Sequence, residues 1–168
     1  MIDFDEPVLG PELDKGSAEK AGSNDAAAGI LRLVEDQPFC VLATQGESQP
    51  YTSLIAYAHT PDLKHLFFTT SVATRKYRLL SECNRAALLI DNRCRHPDGF
   101  MEVEALTVTG KAIQLQRSEE FNRAAERLSD RHPYIKPFIY ADTTALFRFD
   151  VIRCLHVTRF QEVVQWIP

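Results

Sequence analysis

The stretch FFTTSVATRKYRLL, Phe67 to Leu80, passes from one periodicity to another within a few residues. Its first part is aromatic and β-branched, the composition of a strand. Its second part reads as a helix capped by Thr74 and running to about Asn84, with Tyr77, Leu80 and then Cys83 spaced to face a core. At the junction stand the hydroxyls of Thr69, Thr70, Ser71 and Thr74, followed by Arg75 and Lys76 at the first two helical positions. The first turn of a helix has unpaired N–H groups and about half a positive charge, so it attracts anions. Two cations there oppose the dipole by roughly 0.3–1 kcal/mol each. A phosphate monoester would offset that cost, with hydroxyls and cations as donors. A solvated cation pair beside a capped helix is the plainer reading of the same residues, and the chain has neither a P-loop nor a G-x-G-x-x-G motif.

Upstream, FCVLATQG, QPYTSLIAYAHT and HLFFTTS alternate or run apolar and are separated by Gly46 to Pro50 and by Pro61-Asp62, which predicts three antiparallel strands. Before them, Ser23-Asn24-Asp25 caps a helix with Ala27, Ile30, Leu31 and Val34 on one face, limited by Pro38. Residues 1–24 are acidic, interrupted by proline and glycine and without hydrophobic period, and read as a flexible arm. Residues 25–168 then form one domain.

Downstream, RAALLIDNR is short and continuously apolar, the pattern of a strand buried on both faces. After the turn-forming CRHPDGF, EVEALTVTGKAIQLQ is long enough to bend, with Gly110 as the point of bending. Ser118-Glu119-Glu120 opens a helix with Phe121, Ala124, Ala125 and Leu128 as its stripe, ended by Pro133. TTALFRFDVIRCLHVT supplies a last long strand or bent pair. Six or so strands with so few helices between them exclude a regular βαβ sheet and predict a mainly β, six-stranded antiparallel barrel with flanking helices.

The chain has 168 residues, 45% hydrophobic and 25% charged, the profile of a soluble globular protein, with no apolar run of the ~20 residues a membrane span requires. Its acidic start is unlike a secretory signal, which predicts a cytoplasmic location, and Cys40, Cys83, Cys94 and Cys154 are scattered and expected to be reduced. A net charge of −4 argues against a nucleic-acid surface.

The order FCVLAT, QPYTSLIAYA, HLFFTTSVATRKYRLL, NRAALLI and VTGKAIQL resembles the flavin-binding split-barrel family related to pyridoxamine 5′-phosphate oxidase, over residues 26–166. The resemblance implies a homodimer with FMN between the subunits. Phe68, Thr69, Thr74, Arg75 and Lys76 match the family's phosphate-binding segment, with Thr70 and Ser71 in a stretch one residue longer. It further implies that Thr52, Ser53, Leu54, Ile55 and Ala56 line the isoalloxazine, that Asn92 and Arg93 reach cofactor or partner, and that Trp166 packs near the flavin. Read alone, Trp166 is an interface or core anchor. The oxidases proper resemble R-x-x-L-L-K on the second strand, where this chain has Ser53 to Ala58, so the vitamin-forming reaction is not implied. What is implied is an FMN-dependent oxidoreductase acting on an unidentified small molecule, with a nicotinamide or small carrier as electron donor. A non-enzymatic flavin or haem store and a deazaflavin reductase share the architecture.

The histidines lack any zinc-like spacing, and no metal site is expected. His59, before Pro61, reads as structural; His156, near the end of the last strand, is the residue a haem would use as axial ligand. Cys94 among Arg93, Arg95 and His96, and Glu102 with Glu104 on one strand face, invite thiol or hydrolase chemistry but read first as surface and cross-strand residues.

Overall fold

The computed structural model describes residues 23–46, 48–159 and 162–168. The expected N-terminal arm lies outside these residues, except for Ser23 and Asn24, which open the first helix. The order is α1 (Ser23–Asp36), β1 (Phe39–Gly46), β2 (Gln49–His59), β3 (His65–Ser71), α2 (Arg75–Glu82), β4 (Arg85–Asp91), β5 (Ala105–Gln114), α3 (Glu119–Arg131), α4 (Lys136–Ile139), β6 (Thr144–Thr158) and β7 (Glu162–Trp166). Short 3₁₀ turns link β4 to β5 and α3 to α4.

All strand pairings are antiparallel, in the order β3-β2-β1-β4-β5-β6-β7, and β3 also pairs with β6. That last pairing closes six strands into the predicted barrel. The seventh strand, EVVQW, is an addition to the expected six, hydrogen-bonded to the far half of β6. Gly110 bends the wall as expected, at a register shift between Thr109 and Gly110 where β5 passes β6. A Cβ at Gly110 would stand 2.2 Å from the carbonyl oxygen of Asp150, so only glycine allows the strands to approach there.

The interior is filled by inward residues of every barrel strand, among them Leu42, Ile55, Tyr57, Phe68, Leu88, Ile90, Leu106, Val108 and Phe149, with Ile30, Leu33 and Val34 of α1 closing one end. α1 is anchored at its C-terminal carbonyls, the groups a helix leaves unpaired. Tyr57 Oη donates to Val34 O at 2.8 Å, and Arg131 donates to Val34 O, Glu35 O and Gln37 O at 2.7, 3.0 and 2.7 Å. α2 packs toward the other end, its Leu79 against Gly46.

A second apolar cluster lies outside the barrel, where Phe121, Ala124, Ala125 and Leu128 of α3 cover Ala58, Phe67 and Leu146. Among the described residues the rest of the outer wall has no such cover. β4, expected to be buried on both faces, is buried on one only: Leu88 and Ile90 point inward, while Ala87 and Leu89 are half-exposed. Among the described residues no helix is long and apolar enough to cross a membrane.

Candidate functional site

β2 and β3 separate along their length. They pair only where Tyr57, Ala58 and His59 meet Phe68, Phe67 and Leu66. Past that point Thr69, Thr70 and Ser71 keep only the pairing that all of β3 makes with β6, here with Leu146, Ala145 and Thr144, and among the described residues β2 from Gln49 to Ala56 has β1 as its one strand neighbour. One edge of β2 therefore presents N–H and C=O groups without a ladder partner. The first residue of α2 spans the opening, since the Arg75 guanidinium lies over the Tyr51 ring, 5.2 Å from its centroid.

The hydroxyls at the junction are largely engaged by the chain itself. Thr69 Oγ1 donates to Ala145 O at 3.1 Å, and Thr74 Oγ1 donates to Ser71 O at 2.8 Å while accepting from Tyr77 N at 3.4 Å as the helix cap. Thr70 Oγ1 lies 3.0 Å from Thr74 Oγ1, and because the Thr74 hydrogen is committed, Thr70 is the donor. Ser71 Oγ accepts from Ala73 N at 3.3 Å, which leaves its own hydrogen available. The Ser71 hydroxyl and the Lys76 side chain therefore stand at the first turn of α2, beside an Arg75 guanidinium that is engaged over Tyr51. Lys76 has no ion-pair partner among the described residues.

Alternation sorts the remaining candidates. Thr52, Leu54 and Ala56 face outward, and Leu54 is 69% exposed. Ser53 and Ile55 face the barrel interior, so they meet an outer ligand by backbone alone. Ser53 Oγ is buried with no hydrogen-bond partner. Phe68 is fully buried and stacked on Phe147, with ring centroids 5.2 Å apart, which makes it a core residue. Asn92 is likewise inward: its N–H donates to Glu104 O and its Oδ1 accepts from Glu104 N at 2.7 Å, pinning β4 to the start of β5. Arg93 is exposed and pairs with Asp91 at 3.1 Å. Trp166 pairs with Cys154 on β6 and packs on the barrel core, the anchor role that its residue type suggests. Across the opening the structure sets Arg75 against Tyr51 of β2, with Thr52, Leu54 and Ala56 on the outer face of that strand, while Phe68, Asn92 and Trp166 are packing residues and Arg93 is paired at the surface. Tyr51 and the unpaired edge of β2 were not foreseen, because composition does not reveal where two strands cease to pair.

His156, the expected axial ligand, is 6% exposed on the inner face of β6, with Gly29 of α1 over its ring. Its Nε2 lies 3.0 Å from Glu104 Oε2, and Glu104 also holds Arg32 of α1 at 3.1 Å. Burial, the larger influence, lowers its pKa against the opposing pull of Glu104. With this nitrogen engaged, the imidazole ties α1 to the barrel through Glu104, and its largely buried ring also lines a cleft of about 510 Å³ with Arg32, His96 and Glu102. Cys154 is similarly inert, its thiol pushed up to about 12 by burial.

A closed six-stranded barrel whose wall parts between two neighbouring strands is a split barrel. The model of the pyridoxamine 5′-phosphate oxidase family matches residues 27–159, and the chain belongs to that family. No curated protein matches its sequence. Among solved structures, a haem-binding protein from Mycobacterium smegmatis is 20% identical with a TM-score of 0.74, over 84% of this chain and 57% of that one. A haem-storage protein from Vibrio cholerae is 16% identical with a TM-score of 0.66, over 83% and 92%. An FAD-binding protein from Mesorhizobium loti is 15% identical with a TM-score of 0.63, over 77% and 92%. The chain spans little more than half of the first of these, and at such identities the likeness is one of fold.

Proposed function

We propose that the chain is an FMN-binding oxidoreductase that acts in the cytoplasm as a homodimer, with the cofactor lying along the open edge of β2. The observation that carries this reading is the unpaired edge from Gln49 to Ala56 beside the first turn of α2. Alternating N–H and C=O groups suit the alternating donors and acceptors of an isoalloxazine, and the outward Thr52, Leu54 and Ala56 give an uncharged surface for its rings. Arg75, Lys76, their amides and the Ser71 hydroxyl would hold the phosphate. Family membership and an FAD-binding structural neighbour support a flavin. When bound, FMN supplies hydride and electron transfer between a reduced carrier, such as a nicotinamide, and a small organic acceptor. The protein's part is to orient the ring and exclude water from it; no nucleophilic side chain is required.

The dimer is argued from the bare outer wall. Phe39, Val41 and Ala43 of β1, Thr52, Leu54 and Ala56 of β2, and Ala87 and Leu89 of β4 stand on adjacent strands as an uncharged face, all exposed or half-exposed, which Thr107 of β5 continues to Leu155 of β6. From strand spacings it covers on the order of 500 Å², much of the roughly 800 Å² per partner in a standard interface. A second copy seated there would also wall in the split.

The test measures FMN and riboflavin affinities, by flavin fluorescence, for the wild type and for Arg75→Ala/Lys76→Ala. Each charge-assisted hydrogen bond contributes about 1.5–3 kcal/mol, so FMN should weaken by a hundred-fold or more and riboflavin hardly at all. Equal losses for both would place the phosphate elsewhere. A purified protein that lacks flavin bands and gains none on adding FMN would overturn the reading, with a deazaflavin tried next.

A further inference from the structure

The cleft that His156 lines lies beside α1, away from the split, and its 510 Å³ fall within the usual range for small-molecule sites. Arg32, Glu102, Glu104, Thr158 and Arg159 stand around it with His156. The imidazole is the most enclosed of these side chains, 7% accessible against 20% for Glu104 and 66% for Arg32.

Glu104 is a fixed carboxylate. Its N–H donates to Asn92 Oδ1 at 2.7 Å and its C=O accepts from Asn92 N at 3.2 Å, so the backbone is held on both sides. Its Oε1 accepts from Arg32 at 3.1 Å, and its Oε2 lies 3.0 Å from His156 Nε2. A carboxylate only accepts, so Nε2 carries the hydrogen and Nδ1 keeps the lone pair. Burial lowers the pKa of the ring against the pull of Glu104, which leaves it neutral at pH 7. Nδ1 has no partner among the described residues, yet it is not sealed as Ser53 Oγ is, and the cleft is where its ring meets the outside.

The surrounding side chains indicate what that lone pair would meet. Arg32 donates to Glu104 and Arg159 to Glu162, the latter at 3.4 Å, and a guanidinium has more N–H groups than these bonds use. Both therefore keep donors for an anion. Glu102 and Glu162 line the same cleft, so like charges disfavour a phosphate dianion and leave a singly charged carboxylate as the better partner. Met101 adds an apolar, adaptable surface for the body of the ligand.

We propose that this cleft binds a small hydroxy acid, whose hydroxyl donates to His156 Nδ1 while its carboxylate pairs with Arg32 and Arg159. Glu104 is a positioning residue that fixes the tautomer in which Nδ1 accepts. The site does not rest on the flavin reading. Thr144, which pairs with Ser71 beside the split, and His156 stand near opposite ends of β6.

The experiment is calorimetry on the full chain with 4-hydroxybenzoate and with benzoate, in the presence and absence of FMN. The hydroxy acid should bind at one equivalent per chain and about ten-fold or more tighter than benzoate, because only its hydroxyl satisfies Nδ1. FMN should leave that affinity unchanged. Arg159→Gln, at an exposed position, should weaken both acids alike. His156→Leu, checked for folding by circular dichroism, should bring the two acids to equal affinity. The wild-type comparison and Arg159→Gln decide the matter even if His156→Leu fails to fold. No binding of 4-hydroxybenzoate, equal wild-type affinities, wild-type binding in Arg159→Gln, or a preference that survives in His156→Leu would each overturn the site. Competition by FMN would do so as well, by moving the acid to the split.

Discussion

The two halves of the barrel's outer wall are built alike and finished differently. Over Ala58, Phe67 and Leu146 the wall is covered by α3, whose Phe121, Ala124, Ala125 and Leu128 complete an apolar seam. Over β1, β4 and the first part of β2 the outward side chains are just as apolar, yet Phe39 is 51% and Leu54 69% exposed. One half finds its cover within the chain; the other stands open among the described residues. Exposed apolar residues scattered singly mean little, but a continuous face of them marks an interaction surface.

The largest effect that would sharpen this contrast is expected on the covered half. Leu128→Ala removes a fully buried side chain from the α3 seam and should cost about 2–5 kcal/mol, measured by denaturant unfolding, with the same loss at every protein concentration. On the bare half, Leu54→Asp should leave the fold of one chain nearly unaltered but weaken self-association by about 3 kcal/mol, because a carboxylate would be buried unpaired. Sedimentation across a concentration series reads it directly, and a dimer that persists undiminished would break the comparison.

Ser53→Ala should raise stability by about 1 kcal/mol, since the hydroxyl it removes is buried and unpartnered. A loss of stability instead would mean that Ser53 serves a partner brought by ligand or second subunit. The smallest effect concerns the tie beneath α1. The folded pKa of His156 lies below its ordinary value, so the unfolded chain binds the proton more readily. Stability from this group is therefore complete above about pH 6.5 and declines as pH falls toward the folded pKa. Unfolding at pH 7.5 and 5.5 should show that decline, and His156→Gln should flatten it.

The barrel was legible because alternation and turn residues report local geometry directly. Thr74 caps α2, Ser118 caps α3 and Gly110 bends β5 as their residue types require. The expected burial of β4 on both faces failed: Ala86 to Ile90 are apolar, but the described residues supply only one of the two covers such a strand would need. Arg75 and Lys76 open α2 as the sequence placed them, whereas the residues around them are divided between core and surface. Phe68 matches a motif yet stacks in the core, and Thr69, Thr70 and Thr74 use their hydrogens on the chain, since strand parity and hydrogen-bond partners depend on register. β7 escaped notice because EVVQW is too short to display a period.

The register shift opposite Gly110 has an effect on reading direction. Along β6 the inward residues are odd-numbered before it, Phe147 and Phe149, and even-numbered after it, Cys154 and His156, with Ile152 as the residue that absorbs the change. Deleting Ile152 would excise the extra residue: Val151 and Arg153 would become neighbours opposite Gly110 and Thr109, one unbroken alternation would run through β6 with Cys154 and His156 still facing inward, and the strand would lose the irregularity that lets it curve there.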